Sequence, residues 1–142
     1  MGRPLDGIRV IDVSEGAQGP WAGALLGDLG ADVIKVERPQ GEMMRHSGPT
    51  KRGMALPIAG MNHGKRQVVL DAKEVEGRQA LLSLISTADV FLENWRRGVA
   101  ERLDVDYETL ATINPRLVYA SASGFGVAGK YSHKATVDGI SQ

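Results

Sequence analysis

Between Ile8 and Glu37 the chain carries a strand, a helix and a second strand with almost nothing left over, and this run limits the possible folds more than any other feature. Ile8-Arg9-Val10-Ile11-Asp12-Val13 follows Gly7, is rich in β-branched residues and alternates imperfectly between apolar and polar. A turn follows, Ser14-Glu15-Gly16-Ala17-Gln18-Gly19. Pro20 stands where a helix can start, because the N–H it lacks has no acceptor in a first turn. Trp21 to Leu29 reads as a helix that is apolar nearly all round, with Ala22, Gly23, Ala24 and Gly27 small enough to let it lie close on a sheet. Gly30 fits the left-handed position just past the helix end. Asp32-Val33-Ile34-Lys35-Val36-Glu37 is the second strand. Such a unit implies a right-handed crossover and a parallel strand pair.

The alternation continues. Residues 38 to 64 bear several Gly and Pro and show no clear period; a loop this long inside a compact domain tends to be functional or disordered. Arg66 to Asp71 reads as a strand and Glu74 to Thr87 as an amphipathic helix, with Val75, Leu81, Leu82, Leu84 and Ile85 largely on one face. Asp89 to Glu93 is a further strand. Short helices are expected near Val99–Leu103 and Asp106–Ile113, the second ended by Asn114-Pro115. Arg116 to Ser121 closes the strand series before the Gly-rich loop Ser123 to Gly129. Strand and helix in turn predict an α/β fold, an open, mostly parallel, doubly wound sheet. The residues from Thr136 to Gln142 look like the start of a helix, so a natural chain longer than these 142 residues is expected.

Charge and composition narrow the partners. Seventeen basic side chains balance seventeen acidic ones, and the basic residues are scattered, so neither nucleic acid nor a membrane surface is favoured. No cysteine is present, which removes disulfides, thiolate metal sites and a cysteine nucleophile. No apolar run approaches the length of a membrane span, and a cytoplasmic protein is the expectation.

Several places could carry chemistry. Gly16 and Gly19 precede a helix N-terminus, but they give only Gly-x-x-Gly where a dinucleotide fingerprint has Gly-x-Gly-x-x-Gly; a bare tight turn explains them equally well. Glu37-Arg38 closes the second strand. There an acid can accept from a ribose hydroxyl, and an arginine fork suits a phosphate on that ribose, as in coenzyme A or NADP; a solvated ion pair is the bland alternative. Asn62-His63-Gly64-Lys65-Arg66 could hold a pyrophosphate or be an exposed turn. Glu93-Asn94-Trp95-Arg96-Arg97-Gly98 follows a strand directly, at the sheet edge where open α/β folds bind ligands, and its indole could stack on a purine or pack beneath the next helix. His46, His63 and His133 lack metal-ligand spacing, and no metal is expected. Neither a Gly-x-Ser-x-Gly elbow nor a Walker loop occurs.

These segments resemble the family III coenzyme A transferases (the CaiB/BaiF type), a group that also contains α-methylacyl-CoA racemases. The matching stretches are Pro4 to Asp12, Gly27 to Glu37, Gly64-Lys65-Arg66, Leu70-Asp71, Ala88-Asp89-Val90 with Glu93-Asn94, Asn114 to Leu117 and Ser123 to Gly126, in the family's order. The resemblance implies that residues 1–142 are a Rossmann-like coenzyme A domain, truncated at its C-terminus, from a protein whose two chains interlock as a homodimer. It also implies transfer of coenzyme A from an acyl-CoA to a small carboxylic acid through an aspartyl intermediate. The contacts it implies for coenzyme A fall at Gly16, Ala17 and Gln18 near the thioester, Arg38 at the adenosine end, Leu70, Asp71, Ala72 and Lys73 along the nucleotide, and Asn94, Trp95 and Arg102 around adenine and phosphate.

Three departures qualify the match. The family's nucleophilic aspartate lies in a segment beyond residue 142, and Asp138 corresponds instead to an acidic position lining the active site, so no residue of this chain is assigned as catalytic. Val137 stands where racemases carry a histidine base, which favours a transferase. Lys130 after Gly129 and the placement of Gln18 leave the acyl and acceptor specificity open. A racemase of the same group, a non-catalytic coenzyme A-binding fragment and an NAD(P) oxidoreductase fragment are the alternatives.

Overall fold

The structure is a computed structural model that describes residues 2–126 and 128–134. Its core is a five-stranded parallel sheet of β1 (Arg9–Asp12), β2 (Asp32–Glu37), β5 (Arg66–Val69), β6 (Val90–Glu93) and β7 (Val118–Ser121), in the order β5-β2-β1-β6-β7. The order reverses on either side of β1, which therefore faces two strands that follow it in sequence. The gap at the carboxyl ends of β1 and β6 is the place where an open parallel sheet offers a crevice.

Each face of the sheet has its own apolar layer. Ile11, Ile34, Val36 and Phe91 point to one side and meet Leu81 and Ile85 of α3 (Val75–Ile85) and Leu110 of α5 (Tyr107–Ile113). Val10, Val33 and Leu92 point to the other and meet Ala22 and Leu26 of α1 (Gln18–Asp28). The layers follow from the two-residue period of the strands, and helices on both faces complete the doubly wound arrangement expected from the sequence.

The small residues of α1 act as anticipated. A Cβ on Gly19 would stand 2.3 Å from that of Ser14, and one on Gly23 would stand 2.7 Å from the Asp12 carboxylate. The helix thus presses against the end of β1 at two places one turn apart. It begins at Gln18, earlier than Trp21, with Pro20 inside its first turn, and Gly30 takes a φ of +114° beyond its end.

Two expectations are corrected. Val75 is exposed, because it stands at the first position of α3, outside the turns that pack on the sheet. Residues 38–64 are neither structureless nor a simple loop. They hold a 3₁₀ turn (Met43–His46), a hairpin of β3 (Thr50–Lys51) and β4 (Met54–Ala55), and α2 (Leu56–Met61). Arg52 and Gly53 both have positive φ, the geometry of a two-residue hairpin turn. The excursion is anchored by Ala55, Ile58, Glu42 and Asn62, all buried.

Candidate ligand cleft

A cleft of about 940 Å³ opens along the carboxyl ends of the strands. Arg38, directly after β2, and Gln18, at the start of α1, form one side. Leu70, Asp71, Ala72 and Lys73, the link from β5 to α3, line the end near β2. Asn94 and Trp95, directly after β6, and Arg102 at the end of α4 (Val99–Arg102) form the other side. The strand-end residues singled out in the sequence therefore meet in one hollow. Gly16 is buried behind the wall, Ala17 is exposed but off the lining, and Asp138 lies outside the described residues.

Behind the β1–β2 wall sits a group of buried charges that the sequence reading missed. Asp12 and Lys35 are paired in register on neighbouring strands, and both are completely buried. Lys65 Nζ donates to Asp12 Oδ2 at 2.8 Å, to the Pro20 carbonyl at 2.7 Å and to Asn62 Oδ1 at 2.9 Å. Lys35 Nζ donates to the Ser14 carbonyl and lies 3.5 Å from Glu42 Oε2 and 3.8 Å from Asp12 Oδ1. Glu42 also accepts from the Gly16 amide at 3.0 Å and from Asn62 Nδ2 at 3.3 Å. Two lysines and two acids thus cancel out of contact with water. Burial pushes the Glu42 carboxyl up from its ordinary value and the Lys65 ammonium down, since desolvation opposes the charged form of each. The available signal was Asp12 and Lys35 themselves: in a strand covered on both faces a charge needs a partner.

These ties reassign two of the candidate motifs. Glu37 does not present its carboxylate to a ribose. It is buried and takes a two-pronged bond from Arg45, Nε to Oε2 at 2.7 Å and Nη2 to Oε1 at 2.6 Å, with a further bond from the Glu42 amide at 3.1 Å. Arg45 holds the Glu37 carboxyl below the usual range. Arg38 remains half-exposed, its Nε 3.2 Å from Glu15 Oε1 and 3.1 Å from the Gly41 carbonyl. The Asn62–Arg66 segment is no pyrophosphate cradle either. Lys65 is buried, Arg66 pairs with Asp32 at 2.6 Å, and His63 sits 3.0 Å from Asp28 on the surface.

Asn94 is likewise committed. Its Oδ1 accepts from the Glu15 amide at 2.9 Å and its Nδ2 donates to the Glu15 carbonyl at 2.6 Å, so it bridges the two loops across the gap between β1 and β6. Trp95 is half-buried, edge-on to Phe91 with ring centres 6.3 Å apart, and still lines the cleft. One part of the ring system thus packs on the core while another part faces the cleft. Across from the buried charges, Lys73, Arg96, Arg97 and Arg102 line the cleft and are exposed or nearly so. None has an acid within ion-pair distance among the described residues. Among the described residues no side chain caps α1, so its first-turn amides have no side-chain acceptor there. Chemically the hollow suits a long ligand with several negative charges and one flat ring. Among the described residues no group of His, Asp and Glu is placed to hold a metal ion.

Residues 5–142 match the model of a family described as CoA-transferase family III. The chain is 44% identical over 147 residues to the succinate–glutarate CoA-transferase of Agrobacterium fabrum, covering 98% of this chain and 37% of that protein. It is 44% identical over 140 residues to the acetyl-CoA:oxalate CoA-transferase of Acetobacter aceti, again with 98% of this chain and 36% of the relative. The crystal structure of a CaiB/BaiF family protein from Brucella suis superposes with a TM-score of 0.94 at 41% identity, over 99% of this chain and 38% of that one. The chain therefore spans a little over a third of the length of the proteins it matches.

Proposed function

The chain belongs to CoA-transferase family III, and we propose that it forms the Rossmann-like coenzyme A-binding part of an acyl-CoA:carboxylate CoA-transferase. The observation that carries this reading is the cleft. One side offers Arg38, the other offers Trp95 with Arg102 of α4, and Lys73 lines the same hollow from the β5–α3 link. A phosphorylated adenosine needs this combination of an aromatic surface and separated cations. In the proposal Trp95 meets the adenine, the cations take the phosphates, and the pantetheine arm runs toward Gly16, Ala17 and Gln18, where first-turn amides face the thioester oxygen. Asn94 acts by tying the two loops together as much as by touching the ligand.

The reaction belongs to a longer protein, a homodimer of the cell interior. Its nucleophile is an aspartate outside the described residues. The relatives named for succinate, glutarate and oxalate make a small dicarboxylic acid the first acceptor class to test. The test is to mix the full-length protein with an acyl-CoA and a free dicarboxylate and follow the new thioester by chromatography, then quench with hydroxylamine. Transfer together with an aspartyl hydroxamate is the expected result. Epimerisation of a 2-methylacyl-CoA without transfer would assign a racemase instead, and tight NADPH binding with no coenzyme A binding would remove the proposal.

A further inference from the structure

The turn after β1 is held by side chains to an unusual degree. Taken in order, the Ser14 amide donates to Asp12 Oδ1, and the Ser14 carbonyl accepts from Lys35 Nζ. The Glu15 amide and carbonyl both bond to Asn94, and the Gly16 amide donates to Glu42 Oε1. Consecutive backbone polar groups of a short loop are thus met by side chains, from Asp12 on the strand leading into it and from Lys35, Glu42 and Asn94 elsewhere in the fold. Immediately afterwards the chain emerges: Gly16 is buried, Ala17 and Gln18 are exposed.

Glu42 is the least expected member of this clamp. It sits in the excursion after β2, 1% exposed, and every polar atom it offers is directed inward. Its amide donates to Glu37, which Arg45 holds in place, and its second carboxylate oxygen faces Lys35 and Asn62. For stability alone an apolar side chain in such a place is commonly as good as a buried ion pair. What an apolar residue could not do is fix the Gly16 amide. Because that amide is spent on Glu42, the next donors available to a ligand are those of Ala17 and Gln18, and their direction is set by where Gly16 is pinned.

We infer that Glu42 is a positioning residue for the thioester end of the cleft: it fixes Gly16 so that the amides of Ala17 and Gln18 point at the reacting carbonyl. The inference deepens the transferase reading and rests on it for the identity of the group that meets the turn. Glu42 touches neither coenzyme A nor the acceptor. Its effect belongs to the chemical step, while the nucleotide is gripped farther along the cleft.

The experiment uses the full-length enzyme and Glu42→Gln, which keeps the shape but cannot at once accept from Gly16 and face Lys35 and Asn62 without opposing donors. In the folded variant kcat is expected to fall roughly 30- to 100-fold, the size of loss that small misplacement of reacting groups produces. The Kd for coenzyme A should stay within about threefold, since the nucleotide contacts are remote from the turn. Glu42→Asp, which keeps the charge, should recover a large part of kcat. A folded Glu42→Gln enzyme with wild-type kcat overturns the inference, as does a variant whose losses in kcat and in coenzyme A binding are equal.

Amide exchange on the unaltered protein decides the matter even if Glu42→Gln fails to fold. The Gly16 amide should be protected and that of Ala17 should exchange freely until an acyl-CoA is bound; fast exchange at Gly16 overturns the clamp. Failure of the unaltered enzyme to bind coenzyme A would strike the transferase reading, and the Gly16 measurement would still stand by itself.

Discussion

The two sides of the cleft use charge in opposite ways. Behind the β1–β2 wall, Asp12, Lys35, Glu42 and Lys65 neutralise one another out of water, and every one of them has a partner on another element. On the β6–α4 side, Arg96, Arg97 and Arg102 stand in solvent with no acid to answer them among the described residues. A buried charge that loses its partner keeps its desolvation cost, so the first group governs whether the wall holds its shape. Exposed arginines contribute little to stability and keep their attraction for a ligand that arrives with its own negative charge. One wall is set in the fold, and the other waits for what it binds.

The sharpest test of that division is Lys65→Met. It leaves Asp12 with Lys35 at 3.8 Å as its only remaining cation among the described residues and strips the Pro20 carbonyl and Asn62 of a donor. A loss of about 3–5 kcal/mol is expected in a denaturant titration, the range for orphaning one member of a buried pair. Replacing Asp12 by Asn in the same chain should return part of it. A loss under about 1 kcal/mol would mean that water reaches this wall and that the contrast between the two sides is smaller than drawn.

Gly77→Ala attacks the floor between the walls. A Cβ there would lie 2.1 Å from the carbonyl oxygen of Asp71, so the backbone of residues 70–73 or the first turn of α3 has to move. Forced overpacking of this kind costs about 1–3 kcal/mol. Unlike the other substitutions it should damage stability and coenzyme A binding together, because Leu70 to Lys73 line the cleft. Unchanged binding in a destabilised variant would show that the floor does not meet the ligand.

Arg102→Ala addresses the open side. Stability is expected to stay within about 0.5 kcal/mol, as for most surface changes. Coenzyme A affinity of the full-length protein should drop about tenfold, near 1.4 kcal/mol, with a weaker dependence on salt than in the unaltered protein. A Kd that does not move removes Arg102 from the phosphate contacts.

The contrast between the walls also explains what could be read in advance. The strand and helix order was legible because each strand shows its β-branched run and each helix its face; β2 runs from Asp32 to Glu37 as read. The strand ends were legible as cleft positions because a parallel sheet puts all of them on one edge, which is how Arg38, Leu70 and Trp95 come together. The partners of the charges were not legible. Glu37 looked like a ligand-facing acid because its sequence neighbour is Arg38, whereas its partner is Arg45, eight residues on, brought back by a 3₁₀ turn that has no periodic signature. Lys65 looked like an exposed base for the same reason: what buries it is Asp12, 53 residues away, through room left by Gly23. Pairings of this kind depend on how the excursion folds back, and local pattern carries no record of that.

The smallest effect is expected two residues before Lys65, and it isolates exposure from position. His63 and Lys65 leave the same turn and both reach toward α1, His63 to Asp28 at 3.0 Å and Lys65 to the Pro20 carbonyl. Burial lowers the Lys65 pKa. His63 is exposed, and its pKa is raised, first by the bond to the Gly60 carbonyl and then by Asp28. A folded-state pKa above the unfolded one, about 6.5 for histidine, gives stability that is complete below that pH and disappears as pH rises through the folded value. Proton NMR of the ring should therefore show a midpoint above 6.5, and Asp28→Asn should bring it part of the way down, with the Gly60 contribution left in place. The unfolding midpoint should decline slightly from pH 6 to 8 and decline less in Asp28→Asn. A His63 midpoint below 6.5 would mean that the turn is desolvated as far out as this residue, so that the buried wall extends to the surface of α1 and not only to the Asp12–Lys65 pair.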